Sequence, residues 1–238
     1  MSVFAQRAHG VRVEWGAQAV AQLGREVDAI VVVDVMSFSS CVDVACARGA
    51  SVYPYAWRDD SAVACGERLG AVVASRERRF EGGFSLSPTS LAGVPAGLKL
   101  VLPSPNGSAI SFAARDLGVD VFCGCLRNRT ATAEACRGFE RLLVVACGER
   151  WPDGSLRPAL EDWVGAGAIV AALGRADLSP EARAAMAAYE ALGAASLADC
   201  GSARELVERG FAVDVAACLA LDASVRACRM RGDCFITA

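Results

Sequence analysis

The chain has 238 residues, 54% of them hydrophobic and only 21% charged, which excludes a disordered chain because enough apolar surface exists to offset the entropy lost on folding. That length is long for one domain and short for two. A formal net charge of −3 supplies no basic field to gather a nucleic-acid backbone or an anionic membrane.

In chain order, MSVFAQRAHGVRVEW lacks the long apolar core of a secretory signal, and no run of about eighteen apolar residues follows, so a cytoplasmic location is expected. AIVVVDV (29–35) reads as a buried strand, being continuous, β-branched and too short for a core helix. SFSS leads into a helix, CVDVACARGA, closed at Gly49. SVYPY (51–55) is the next strand, DDSAVACGERLG a helix capped by Asp59 or Asp60, and AVVAS (71–75) a further strand. Residues 76–98 form one long irregular stretch, which reads as a lid or site wall, or equally as a small antiparallel excursion.

The second half repeats the alternation. LKLVLPS (98–104) and VDVFCG (119–124) are strands, followed by the helices SAISFAARDLG and TATAEACRGF, the latter with Thr130 as cap. RLLVVACG (141–148) is another strand. After the polar loop ERWPDGSLRP, the small residues of ALEDWVGAGAIVAALG predict a tightly packed helix. From about 179 the pattern is helical, with Ser202 capping SARELVERG, and RACRMRGDCFIT closes the chain as a hairpin. Regular alternation predicts an α/β fold, a single domain over 1–238 with a mostly parallel or mixed sheet covered on both faces and a helix-rich tail. The apolar excess leaves surface for a homo-oligomer, a dimer being favoured.

Eleven cysteines need a reading. Cys41, Cys46, Cys65 and Cys136 fall on predicted helix faces, where cysteine acts as a small buried hydrophobe. No Cys-x-x-Cys pair occurs, and Cys123 and Cys125 are one residue apart, so neither a structural zinc site nor disulfides are expected.

Ligands of such sheets bind at loops leaving the carboxyl ends of strands. Ser37, Ser39 and Ser40 begin a helix, where free N–H groups suit a phosphate or sulfonate, or where a serine simply caps. Asp34 ends an apolar strand, so its carboxylate must meet a cation, a metal or catalytic work, or else accept N–H bonds from the next loop. Asn106, Gly107 and Ser108 permit close backbone approach with a donor and an acceptor, or form an ordinary turn. Arg127 with Asn128 follows another strand end, either gripping an anion bidentately or lying on the surface. Glu161 and Asp162 point about 100° apart on a helix start, so one faces the crevice and the other solvent. They are hard oxygen ligands for Mg²⁺, or favourable charges on a first helical turn. No G-x-S-x-G, Walker A or D-x-D signature is present. His9 is the sole histidine and precedes the first predicted strand, which leaves carboxylates, with or without a metal, to carry any chemistry.

The segments VVVDVMSFSSCVDVACARGASVYPY, LPSPNGSAI, VFCGCLRN and VVACGERWPDGSLRPALEDWVGAGAIV, in this order, resemble the 2-phosphosulfolactate phosphatase family over roughly 30–173, with a looser match through the helical tail. The resemblance implies a three-layer α/β/α fold and Mg²⁺-dependent hydrolysis of a phosphate monoester of a small organic acid, associated with coenzyme M biosynthesis. It places Asp34, Asn106, Gly107, Asn128, Glu161 and Asp162 in the family's site, with Asp34 and the Glu161–Asp162 pair on the metal. It departs at Ser37, where the family's D-V-L-R-A-like loop carries an arginine, leaving Arg76 or Arg127 to supply that charge. The family's E-R-G-G and G-N-S-P stretches are represented only by SRERR and GGFSLSP. The rival reading is a non-catalytic homologue that binds a small anionic metabolite.

Overall fold

Of the chain, residues 3–56, 59–75, 77, 78 and 83–238 are described in the structure, a computed structural model. Strand β1 (Val11–Trp15) runs directly into helix α1 (Gly16–Leu23). The sequence reading passed over this pair, because Arg12 and Glu14 interrupt the apolar run. Then come β2 (Ala29–Val33), α2 (Phe38–Ala47), β3 (Ser51–Tyr55), α3 (Ser61–Leu69) and β4 (Val72–Val73), which is only two residues long. The next round is β5 (Lys99–Pro103), α4 (Gly107–Arg115), β6 (Asp120–Gly124), α5 (Arg129–Cys136) and β7 (Leu142–Ala146). The polar loop after β7 folds into a small antiparallel pair, β8 (Glu149–Arg150) and β9 (Leu156–Arg157). Helices α6 (Leu160–Leu173), α7 (Pro180–Leu192), α8 (Gly201–Glu208) and α9 (Ala212–Leu219) precede the closing hairpin of β10 (Cys228–Arg231) and β11 (Cys234–Thr237).

The main sheet is mixed, in the order β1-β7-β2-β6-β10-β11-β3-β5-β4. Two parallel blocks, β1-β7-β2-β6 and β3-β5-β4, are joined by the closing hairpin, whose strands pair antiparallel with both blocks. A hairpin was foreseen at that point; its place inside the sheet was not, because strand order is set by long-range pairing. Every residue of β2 is buried, and its side chains alternate between the two faces. Val31 and Val33 join the cluster formed with α5, α6 and α7, whereas Ile30 and Val32 join α1, α2 and α4. That alternation makes the three-layer α/β/α fold. Each buried Val or Ile contributes roughly 1.5–3 kcal/mol.

The small residues of α6 admit α7 as expected. A Cβ at Gly167 would stand 1.9 Å from the Ala185 carbonyl oxygen, so the α7 backbone occupies the space that any side chain there would need. Two predicted caps do not form. α5 begins at Arg129, and Thr130 lies inside it with its N–H held by Asp222; α8 begins at Gly201, and the Ser202 hydroxyl instead accepts from Arg157. Among the described residues no helix is long and apolar enough to cross a membrane. Cys41, Cys46, Cys65 and Cys136 are buried.

Candidate active site

The loops after β2, β5 and β7 are tied together by two carboxylates. Asp34, the first residue past β2, accepts the Phe38 N–H at 3.1 Å on Oδ1 and the Gly107 N–H at 3.0 Å on Oδ2. These are the first N–H groups of α2 and α4, so one side chain satisfies the positive ends of two helices. Ser39 Oγ in turn accepts the Asp34 N–H at 2.9 Å. Gly107 is required for this approach. A Cβ there would lie 2.8 Å from Asp34 Oδ2 and 2.3 Å from Phe38 Cδ1.

Asp162, in the first turn of α6, ties the loop after β2 to the loop after β7. Its Oδ1 accepts the Val35 N–H at 2.7 Å and its Oδ2 the Gly148 N–H at 2.9 Å. The expectation that one of Glu161 and Asp162 faces solvent is corrected. They are 2% and 3% exposed, because the start of α6 is inserted between the loops and the residues leading into α8. Glu161 Oε2 meets the Cys200 thiol at 3.3 Å. Replacing Asp162 by Ala strands two buried N–H groups, so urea unfolding should show a loss of roughly 3 kcal/mol.

A cavity of about 370 Å³ opens on the exposed side of Asp34. Asp34, Ser37, Ser104, Asn106 and Glu149 line it from the strand-end loops. Arg78 and Leu86 reach it from the long irregular stretch, Arg150 and Arg157 from the small β8–β9 pair, and Ser202 and Leu206 from α8. Asn106 Nδ2 donates to Glu149 Oε2 at 2.9 Å. Burial first, then the charge of Glu149, pushes the Asp34 carboxyl up to about 7, against the pull of its two backbone donors.

Arg78 is the best anchored cation of the cavity. It donates through Nη2 to Ser37 Oγ and through Nη1 to Asp214 Oδ2, both at 2.8 Å. Asp214 also accepts the hydroxyls of Ser87 at 2.7 Å and Thr89 at 2.6 Å. Burial works against this carboxylate, but those donors together hold it below the usual range. Arg150 and Arg157 have no carboxylate partner among the described residues, whereas Arg209, at the rim, pairs with Glu205.

Other sequence candidates are not brought to the cavity. Ser39, Ser40 and Ser108 are fully buried and donate to the carbonyls of Val32, Val35 and Leu102 at 3.2, 2.8 and 2.9 Å. Asn128 is likewise buried, accepting the Cys125 N–H at 2.9 Å. Arg127 donates to Asp43 at 2.9 Å and to the Ala217 carbonyl at 2.7 Å, so its charge is spent inside the fold. Arg76 lies outside the described residues. The positive charge beside Ser37 therefore comes from Arg78, which lies in SRERR, the segment that stands for the family's E-R-G-G stretch. Its other signal is its place in a stretch read as a site wall.

A model of the 2-phosphosulpholactate phosphatase family matches residues 18–230. The chain belongs to that family. It is also 29% identical over 203 residues to the "Probable 2-phosphosulfolactate phosphatase" of Thermotoga petrophila, covering 81% of this chain and 84% of that protein. The family match includes α7, α8 and α9, the tail to which the sequence resemblance extended only loosely. For this 2-phosphosulpholactate phosphatase family member, that tail carries Ser202 and Leu206, which line the cavity, and Asp214, which holds Arg78.

The donors suit a hard divalent cation. Asp34 and Glu149 bring two carboxylates to one cavity, and the Asp34 carboxyl is raised first by burial and then by the charge of Glu149. Among the described residues no group of three or more His, Cys, Asp or Glu is placed to hold a metal. Mg²⁺ needs no such cage, because it keeps waters and takes few carboxylates besides a substrate phosphate. The Glu161–Asp162 pair is a poorer fit, since the cavity lining includes Asp34 and Glu149 but neither of these two.

The Asp34 value sets a pH dependence for the metal-free protein. A carboxyl near 7 when folded and near the ordinary ~3.9 when unfolded adds stability fully below about pH 4 and loses it as pH rises through 7. Asp162, also raised by burial and its acidic neighbours, acts in the same direction. Unfolding free energies from denaturant titration should fall between pH 5 and pH 8, by up to about 3 kcal/mol for Asp34, and Asp34→Asn should flatten that fall.

Proposed function

We propose that the protein is a Mg²⁺-assisted phosphatase acting on the phosphate monoester of a small carboxylic or sulfonic acid. The observation that carries this reading is the pairing of two carboxylates, Asp34 and Glu149, with Arg78, Arg150 and Arg157 around one cavity. Family membership and the name of the Thermotoga petrophila relative agree with it.

In this reading Asp34 and Glu149 hold the cation, and Asn106 keeps Glu149 turned toward it through its amide hydrogen bond. Arg78, fixed by Asp214, neutralises the phosphate, while Arg150 and Arg157 receive the second acidic group of the substrate. A bound Mg²⁺ would screen the phosphoryl charge and lower the pKa of a bound water. Hydrolysis joins the oxygen of water to phosphorus and breaks the ester P–O bond, giving inorganic phosphate and the free hydroxy acid. The buried backbone donors keep Asp34 from swinging away during this exchange.

Phosphate release from 2-phosphosulfolactate and 2-phospholactate, with and without Mg²⁺, tests the reading. Mg²⁺-dependent turnover of either supports it. Thermal stabilisation by these esters without turnover would identify an anion-binding homologue instead.

A further inference from the structure

A second cavity, of about 300 Å³, adjoins the first and shares Asn106, Glu149 and Arg150 with it. The Asn106–Glu149 hydrogen bond is thus common to the walls of both. Beyond it the lining changes character. Trp15, Ala17, Ala109, Ile110 and Leu156 make the second cavity largely apolar, and the Trp15 ring is held in place by stacking on Trp163 at 5.0 Å. A space of this size, with Gln18 the one polar side chain away from its boundary with a charged cavity, suits the hydrocarbon part of a ligand whose acidic groups lie next door.

The geometry points to a substrate that is a phosphorylated 2-hydroxy acid with an apolar side chain, its phosphate and acid groups in the charged cavity and its side chain against Trp15, Ile110 and Leu156. This inference rests on the proposed phosphatase reading and extends it to substrate choice. A compact acid such as phospholactate fills only the charged cavity and leaves the second one to water. An alkyl or aryl side chain removes apolar surface from water on both partners, and each buried methylene is worth roughly fourfold in affinity.

The test compares kcat/KM for O-phospho-phenyllactate and O-phospho-lactate in the wild type, in Ala109→Phe and in Ala17→Phe. Each substitution fills the apolar cavity from a different helix, and neither alanine is fully buried. The wild type should prefer the phenyl ester by about tenfold or more. Either variant that folds should bring the ratio close to one, mainly through the phenyl ester. An equal rate on both esters in the wild type, or a preference that survives both substitutions, would overturn the inference while leaving the phosphatase reading intact. Failure to hydrolyse either ester would instead count against the phosphatase reading itself. Sedimentation of the same variants closes the remaining route: a changed subunit number with an unchanged ratio would show that the face joins two copies of the chain, and would also overturn the inference.

Discussion

Asp34→Asn should reduce Mg²⁺-dependent phosphate release on the order of 10³-fold or more. The exchange keeps the size of the side chain but removes the carboxylate that, with Glu149, would hold the proposed cation in the cavity. It also turns an amide NH₂ toward one of the two backbone N–H groups that Asp34 now accepts, from Phe38 or Gly107. A kinetic loss is therefore to be read beside the denaturant midpoint. Removing a buried carboxylate with a raised pKa relieves strain near neutral pH, and leaving one donor unmatched adds some, so the folded state should survive. Phosphate release and Mg²⁺-induced thermal stabilisation should disappear together. A folded variant with near-wild-type turnover would remove Asp34 from the chemistry and leave it as a cap for α2 and α4.

Removing Arg78 should have the second largest effect. Arg78→Ala takes away a cavity cation held on both sides, by Ser37 and by Asp214, and kcat/KM should fall about 10²- to 10³-fold. Lysine should recover little, because a single ammonium cannot reproduce two directed donors to two partners. Asp214→Asn tests the support rather than the contact. It keeps hydrogen-bond acceptance from Ser87 and Thr89 but loses the charge that fixes the guanidinium. Its kcat/KM should fall by roughly tenfold, carried mostly by KM. Equal losses in a substrate that lacks the second acidic group would show that Arg78 serves the phosphate. A loss confined to the diacid would assign it to the other group.

The strand-helix frame was legible because the code for it is local. Ala29–Val33, Lys99–Pro103, Asp120–Gly124 and Leu142–Ala146 are apolar runs bounded by turn residues, and all become strands. The same locality exposed Asp34, a carboxylate with no local reason to end such a run, and Asn106–Gly107 beside it. What the sequence could not display is direction. Ser37 and Ser39 are two residues apart at the start of α2, yet Ser37 faces the cavity while Ser39 bonds the backbone behind it. Glu161 and Asp162 look like metal ligands by residue type, but the insertion of α6 turns Asp162 into a clamp between two loops. Residue type alone does not separate Arg127 from Arg78. Long-range packing gives Asp43 to the first and the cavity to the second. The charged partners of the site come from the irregular stretch, the β8–β9 pair and the tail, all far from Asp34 in the chain.

The central claim is that Asp34 works with Glu149 across the cavity, and that Glu161 and Asp162 support the fold behind it. Calorimetric titration of Mg²⁺ in the presence of inorganic phosphate, on Glu149→Gln and on Glu161→Gln, tests this most directly. The account predicts that Glu149→Gln loses at least about tenfold in Mg²⁺ affinity while Glu161→Gln binds as the wild type does. Normal Mg²⁺ binding by Glu149→Gln together with lost binding by Glu161→Gln would contradict it and return the metal to the start of α6.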